Sequence, residues 1–210
     1  GVGDCEFFNP FATSYTTAPN SDYVVSSFTG TEVIDSKADL EVFEAITSFD
    51  VFEMGGGFAA LALGVQYREN QLSQDYDDLA NQDSFTFVIG NPDIDGSQDV
   101  WAAFGELALP INDELDVQLA VRYEDYGGTI GSTVDPKLAI SWRATDEFSL
   151  RGSISTSFRA PTVFLAQGGA TSLQQLIDPV QGATAFVAVR TSGNEELKPE
   201  ESTAYNIGFS

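Results

Sequence analysis

Residues 149–161, SLRGSISTSFRAP, carry the clearest structural signal in the chain, because two kinds of side chain alternate along them and the run stops at a proline. Consecutive side chains of a β-strand point to opposite faces, so Leu150, Ile154 and Phe158 share one face. The other face carries only serine and arginine: Ser149, Arg151, Ser153, Ser155, Ser157 and Arg159. One charge-free apolar face opposite one fully polar face is typical of a wall between hydrocarbon and water.

The same alternation recurs along the chain and is cleanest in residues 115–123. There Leu115, Val117, Leu119, Val121 and Tyr123 alternate with Asp116, Gln118, Ala120 and Arg122. Strands are predicted at residues 37–52, 58–68, 100–109, 115–123, 134–144 and 149–159, and a seventh begins near residue 203. Each of the first six is long enough for a tilted strand to cross a bilayer.

The connections between these strands alternate in length. Short turns are predicted at residues 53–57, 110–114 and 145–147, and long loops at about residues 1–36, 69–98 and 160–201. An antiparallel transmembrane β-barrel has this asymmetry, with turns in the periplasm and loops outside. An antiparallel sandwich with one wet face would alternate similarly, so periodicity predicts an all-β chain and leaves both architectures open.

Composition excludes several other classes of protein. No apolar run approaches the roughly 18 residues of a membrane helix, which excludes a helical membrane protein. The net charge of -23, with nine basic residues, argues against a nucleic-acid partner, because phosphate contacts need clustered Lys and Arg. The chain has no His and a single cysteine, Cys5, so the usual catalytic triads and zinc sites cannot form within it. We therefore expect no enzyme activity.

Five segments carry sequence motifs of one family. Residues 150–161, LRGSISTSFRAP, resemble the "lRgsys.sFRAP" strand of TonB-dependent outer-membrane receptors, and residues 193–202, GNEELKPEES, resemble that family's "GN..LkPE.S" signature. Residues 64–69, GVQYRE, and 101–110, WAAFGELALP, are similar to its "GveyR.e" and "vyaElsvPl" strands. Residues 5–11, CEFFNPF, are similar to the "C.plNpFG" segment of one branch.

This resemblance implies a fold and a function. It implies a 22-stranded barrel, closed by a plug domain, that imports a scarce nutrient across the outer membrane of a Gram-negative bacterium. Residues 1–210 would then be part of the barrel domain, about seven strands of it, without the plug or the TonB box. The implied partners are outer-membrane lipid, the inner-membrane TonB complex through parts outside this chain, and a small-molecule or oligosaccharide ligand.

The nutrient remains open among iron chelates, cobalamin and carbohydrates. The alternative function is that of a soluble or surface-exposed β-sheet module for adhesion or assembly, without transport. Need for detergent distinguishes the two, because a lipid-facing belt keeps that need after folding, whereas a sandwich buries its apolar face.

The resemblance singles out the following motif residues: Phe158, Arg159, Ala160, Pro161, Asn194, Leu197, Lys198, Pro199 and Glu200. Arg159 ends the polar row and could bind an acidic loop or plug residue through a bidentate ion pair. Pro161 has no amide hydrogen, so it is expected to end the strand. Lys198 and Glu200 are expected near Arg159, and structural pairing at the rim is favoured over ligand contact.

Two groups of loop residues are weaker candidates for ligand contact. The aromatic residues Phe7, Phe8, Phe11 and Tyr15 could stack on a sugar ring or a siderophore, although loop aromatics more often pack against their own loop. Asn91, Asp93, Asp95 and Asp99 match part of a calcium loop. Ala102 stands where such a loop needs a bidentate glutamate, so an ordinary turn is favoured and no other cofactor is expected.

Overall fold

The computed structural model describes residues 6–12, 19–85 and 90–210. Seven strands form one antiparallel sheet: β1 (Ile34–Met54), β2 (Gly57–Tyr76), β3 (Ile94–Asn112), β4 (Leu115–Asp125), β5 (Ser132–Thr145), β6 (Phe148–Arg159) and β9 (Glu200–Phe209). A separate hairpin is formed by β7 (Gly169–Ile177) and β8 (Thr184–Ser192). The short helices are α1 (Asp22–Ser26), α2 (Asp78–Asn81) and α3 (Val163–Gln167).

The sheet order is β1-β2-β3-β4-β5-β6-β9, so strands that follow each other along the chain are also neighbours until the hairpin intervenes. The predicted antiparallel all-β fold is confirmed as a partial barrel, which does not close among the residues that the structure describes. None of the helices in the described part of the chain is long and apolar enough to span a membrane.

The strand register gives the sheet one apolar face and one polar face. Leu119 of β4 lies between Leu107 of β3 and Leu138 of β5, and Leu138 lies opposite Ile154 of β6. The adjacent row contains Glu106, Ala120, Lys137 and Ser155. We call the first side of the sheet the apolar face and the second the polar face. Alternation within single strands thus extends across the whole sheet, as a barrel wall requires.

Aromatic side chains border the apolar face at both ends. Near the loop end, Tyr67 lies between Phe43 and Trp101, with ring centroids 6.4 and 4.7 Å away. Near the turn end, the rings of Phe148 and Phe209 are 6.5 Å apart. Girdles of aromatic residues flank the apolar band of a transmembrane barrel at both interfaces, so these two groups mark the edges of a lipid-facing belt.

The three predicted short turns connect β1 to β2, β3 to β4 and β5 to β6. Gly57 has a φ of 132° in the first of them, which side-chain-bearing residues rarely adopt. In the second, the Asn112 side chain accepts hydrogen bonds from the amides of Glu114 and Leu115 at 2.9 and 2.8 Å.

The structure differs from the predicted loops in three places. β1 begins at Ile34, and β2 and β3 occupy both ends of the predicted loop at residues 69–98. The predicted loop at residues 160–201 contains α3 and the β7–β8 hairpin. Strands that continue beyond the bilayer are wetted on both faces, so they lose the alternation that identifies them within it.

Candidate functional site

A charged cluster lies on the polar face around Glu124, which is only 4% exposed. Arg68 donates to both carboxylate oxygens of Glu124, at 3.1 and 2.8 Å, and Arg122 Nε donates to Oε1 at 2.6 Å. The Tyr126 hydroxyl lies 2.7 Å from Glu124 Oε2 and also 2.7 Å from Arg68 Nη2. We call these four residues the Glu124 cluster. The three donors satisfy both oxygens of the buried carboxylate, as its low exposure requires.

The register explains how the cluster forms. Arg122 and Glu124 lie two residues apart on β4 and therefore share a face, and Ala102 of β3 lies directly opposite Glu124. Because Ala102 is small and buried, Arg68 can reach across β3 from β2. Gln66 extends the network, accepting from Arg68 and Arg122 at 3.0 Å each and donating to Glu44 of β1.

Aromatic rings hold the cluster in place. The Arg122 guanidinium lies 5.3 Å from the centre of the Phe104 ring, and the Arg68 guanidinium 5.6 Å from that of Tyr126. Burial raises the pKa of the Tyr126 phenol, and its hydrogen bond to Glu124 raises it further. Tyr126 therefore stays protonated at physiological pH, and its hydroxyl keeps a proton to donate to Glu124.

At its loop end, β6 separates from β5. Pairing with β5 ends at Lys137 and Ser155, next to Pro136, which has no amide hydrogen to donate to the ladder. Thr156 instead donates through its hydroxyl to Asp135 at 2.9 Å. Pairing with β9 meanwhile continues to Arg159. The end of β6 is therefore attached on one side only.

The separation brings Phe158 onto the polar side of the sheet. Its ring meets the Tyr126 ring edge to face, with centroids 5.6 Å apart. The prediction that Phe158 shares the apolar face with Leu150 and Ile154 is therefore wrong. Strict alternation fails here because β6 is no longer paired with β5 after Ser155.

Residues 160–168, which we call the strap, connect β6 to the hairpin and lie against β3. The Gln98 side chain donates to the Pro161 carbonyl at 3.1 Å, and the Thr162 hydroxyl caps α3 by accepting from the Leu165 amide. Val163 and Gln167 of α3 pack so closely over Gly96 that a Cβ there would clash with both. The predicted end of the strand before Pro161 is observed.

A cavity of about 850 Å³ lies between the strap and the polar face. The Glu124 cluster lines one side of it, and Leu40, Leu72, Phe158 and Phe164 contribute apolar surface. Concave sites of this size, mostly apolar with a few fixed polar groups, are typical of small-molecule binding.

The remaining motif residues lie where β9 begins. Arg159 Nη2 lies 3.1 Å from Glu200 Oε1 in a cross-strand ion pair whose side chains are 73% and 71% exposed. Asn194 donates its amide to Leu165 of the strap at 3.0 Å, and its side chain accepts from the Glu196 amide. Lys198 is exposed, while Leu197 and Pro199 are half-buried. A contact of these residues with ligand or plug stays a prediction.

The aromatic loop candidates do not form one surface among the described residues. Phe8 packs edge to face against Phe28, with centroids 4.8 Å apart, while Phe7 and Phe11 are exposed. Tyr15 and Cys5 lie outside the described residues. Ligand stacking by these rings stays a prediction.

The four calcium candidates are engaged separately. Asn91 accepts from the Thr171 amide, and Asp93 accepts from the Tyr76 amide and the Asn81 side chain. Asp95 and Asp99 lie within β3, and Asp99 accepts from the Tyr67 hydroxyl at 3.1 Å.

Asp95 and Asp99 lie on the extended backbone of β3, so the ordinary turn favoured from the sequence is not formed there. The weaker candidate, a calcium loop at these residues, stays a hypothesis. Within the described ranges, no group of three or more His, Cys, Asp or Glu side chains is arranged to hold a metal ion.

Sequence reasoning missed Glu124 and Tyr126, although it placed Arg122 on the polar face and noted Arg68 in a motif. The available signal was the alternation of Arg122, Glu124 and Tyr126, which continues the polar row of β4 one residue past its end.

The family model of the TonB-dependent receptor-like β-barrel matches residues 6–210. The chain belongs to the TonB-dependent receptor family. A curated relative, the probable TonB-dependent siderophore receptor PirA of Acinetobacter baumannii, is 26% identical over 157 residues, covering 71% of this chain and 20% of the relative. The chain therefore spans about a fifth of the length of that relative.

Solved structures show the same fold at low identity. The crystal structure of PirA from Acinetobacter baumannii is similar with a TM-score of 0.63 at 20% identity, over 83% of this chain and 25% of that one. A mutant of the ferric enterobactin receptor PfeA from Pseudomonas aeruginosa, in complex with enterobactin, has a TM-score of 0.64 at 16% identity and the same coverages.

Membership of this family shows which environment each face of the sheet contacts. The TonB-dependent receptor barrel lies in the outer membrane of a Gram-negative bacterium. The apolar face, bordered by its aromatic rings, lies against lipid, and the polar face with the Glu124 cluster lines the lumen.

Proposed function

We propose that the complete receptor to which this chain belongs imports a ferric siderophore across the outer membrane, using energy delivered by the TonB complex. The observation that carries this proposal is the curated relative, which is named a probable siderophore receptor and is 26% identical over 71% of this chain. Iron chelates are therefore favoured over cobalamin and carbohydrates.

The geometry of the polar face supports a transport role. At Glu124 two arginines share one carboxylate, and the neighbouring cavity of about 850 Å³ can accept a small molecule. The arginines of the cluster are already hydrogen-bonded to Glu124 and Gln66, so the cluster supports the wall and the shape of the cavity. Ligand recognition would then depend on the cavity and the loops together.

Uptake by whole cells tests the proposal. The complete receptor is expressed in a strain that lacks its own ferric siderophore receptors, and uptake of radiolabelled iron is followed with hydroxamate and catecholate chelates. We expect at least one chelate to enter, and we expect deletion of TonB to abolish its uptake. The same strain without the receptor gives the background.

Two results would overturn parts of the proposal. Uptake of labelled cobalamin or an oligosaccharide, with no uptake of any ferric chelate, would replace the substrate class and keep the transporter. Uptake that persists without TonB would remove the proposed energy source. A receptor that reaches the outer membrane and takes up none of these nutrients would favour the adhesion or assembly alternative.

A further inference from the structure

We propose that Tyr126 and Glu124 are positioning residues that hold the strap reversibly against the polar face, with the contact between Tyr126 and Phe158 as the latch. In the docked state the strap covers the cavity. In the released state it leaves β3 and opens the cavity towards the outside. This inference concerns the barrel wall and does not depend on which nutrient is carried.

The strap is attached by few contacts. Residues 160–168 carry no charged side chain, so no ion pair of their own fixes them. Val163 is their main anchor, at 7% exposure, whereas Phe164 and Leu165 on the same helix are 40% and 46% exposed. On this wall the segment is docked by the buried Pro161 and Val163, by Gln167 packed over Gly96, by a hydrogen bond from Gln98 to Pro161 and by one ring contact at the preceding Phe158. Backbone amides of Gly193 and Asn194 donate to the carbonyls of Gly168 and Leu165 and tie the strap to the chain before β9. Segments with so few buried contacts open locally without global unfolding.

The surface beneath the latch is rigid by comparison. The Tyr126 hydroxyl bonds both Glu124 and Arg68, and Glu124 is tied to β2 and β4 at once. Tyr126 lies one residue beyond β4, where its amide donates to the Gly131 carbonyl at 2.9 Å, and the hydroxyl bonds orient its ring. Glu124 therefore acts on Phe158 through the Tyr126 ring.

Both ends of the strap are fixed independently of the latch. β6 stays paired with β9 up to Arg159 and Glu200, and the hairpin base is tied by bonds from Thr171 to Asn91 and from Arg190 to the Gly90 carbonyl. Release should therefore move the strap and leave the hairpin in place. Gly168 and Gly169 join the strap to the hairpin, and Gly169 is already paired with Ser192.

Cysteine labelling measures the docking equilibrium directly. The complete receptor, with Cys5→Ser as background, carries Val163→Cys in the outer membrane and is exposed to an impermeant maleimide. Labelling of a buried thiol follows the population of the open state when opening is fast. Val24→Cys is the matched control, since Val24 is also 7% exposed but lies in α1.

We expect Tyr126→Ala to accelerate labelling of Val163→Cys by about three- to tenfold, the factor for losing one edge-to-face ring contact. Tyr126→Phe keeps the ring and loses the hydroxyl, so a smaller acceleration is expected. Phe158→Ala should match Tyr126→Ala, and the two together should add little, because both remove the same contact. Tyr123→Ala, which alters a tyrosine on the apolar face, should leave the rate unchanged.

Unchanged labelling of Val163→Cys in Tyr126→Ala would overturn the proposal. Equal acceleration at Val24→Cys would also overturn it, because it would mean general loosening of the extracellular side. The heat resistance of the folded barrel in detergent gels, measured for each variant, separates a released strap from a receptor that has not folded.

Discussion

At the scale of single residues, burial and hydrogen bonding decide which charges matter. Glu124 is 4% exposed and pairs with two arginines whose side chains are 22% and 34% exposed, whereas Arg159 and Glu200 form a pair in open solvent. Exposed pairs contribute little, while removing the charge from a buried partner leaves the others uncompensated. The Glu124 cluster is therefore where a single substitution should affect the wall most.

Substitution Glu124→Gln should destabilise the barrel by about 1–3 kcal/mol, because two arginines lose their common carboxylate. Glu106→Gln is the matched control, since Glu106 lies on the polar face but is exposed. The melting temperature of the complete receptor in detergent measures the effect of each substitution on stability. Equal effects of the two substitutions would contradict the importance given to the cluster.

A second residue-scale prediction concerns Asp77, which caps α2 outside the strands. Its carboxylate accepts hydrogen bonds from the amides of Val33, Ala80 and Leu79, and these lower its pKa, Val33 most strongly. A lowered pKa in the folded state stabilises the junction at neutral pH, and this contribution is lost as pH falls through the folded-state pKa.

Hydrogen exchange of residues 77–81, corrected for intrinsic rates, should show protection that falls as the medium is acidified below the ordinary aspartate range. Asp77→Asn should remove most of that pH dependence, whereas Asp78→Asn, one residue along in the first turn of the helix, should retain it. If Asp77→Asn retained the full pH dependence, a titrating group other than Asp77 would be responsible for it.

Residue-scale features were predicted unevenly from the sequence. The facing of Leu119 and Arg122 followed from period-two alternation within β4. The roles of Glu124 and Tyr126 could not follow, because their partner Arg68 is 56 and 58 residues away in sequence. Local patterns do not specify pairing between distant strands.

At the scale of elements, the close approach of side chains to strand backbone shapes the polar face. The Phe104 ring covers Gly64, where an added Cβ would lie within 2.2 Å of the ring. At Gly152 of β6 an added Cβ would make only an ordinary van der Waals contact, 3.7 Å from the Asn206 carbonyl oxygen. A side chain can therefore be added at Gly152 but not at Gly64 without moving a neighbour, although both glycines lie within strands.

Gly64→Ala should cost about 1–3 kcal/mol because the rigid ring must move, whereas Gly152→Ala should be close to neutral. Adding Phe104→Leu to Gly64→Ala should recover part of the loss, since the clash is removed. Melting of the complete receptor measures each variant. A neutral Gly64→Ala would show that the Phe104 ring moves away at little cost.

The success of prediction also varied between elements. Strands within the bilayer were recognised because lipid and water impose opposite requirements on their two faces. The outer parts of β2 and β3, and the β7–β8 hairpin, were missed because no lipid imposes a pattern there. Phe158 was placed on the wrong face because β6 leaves β5 at Pro136, which alternation alone does not reveal.

At the scale of the whole molecule, the chain forms one section of a barrel wall. Its sheet ends at β1 and β9, each paired on one side only, and unpaired strand edges do not persist in lipid. The section therefore has to be studied within the complete receptor. Its central property is that one face lies in lipid and the other in the lumen.

Leu119 and Ala120 test that property most directly, because they are neighbours on β4 and face opposite sides of the sheet. Urea titration of the complete receptor in lipid vesicles compares Leu119→Lys with Ala120→Lys. We predict that Leu119→Lys costs about 2–4 kcal/mol, as expected for a lysine facing the bilayer midplane, and that Ala120→Lys costs much less. Equal costs, or a greater cost for Ala120→Lys, would contradict the assignment of the apolar face to lipid.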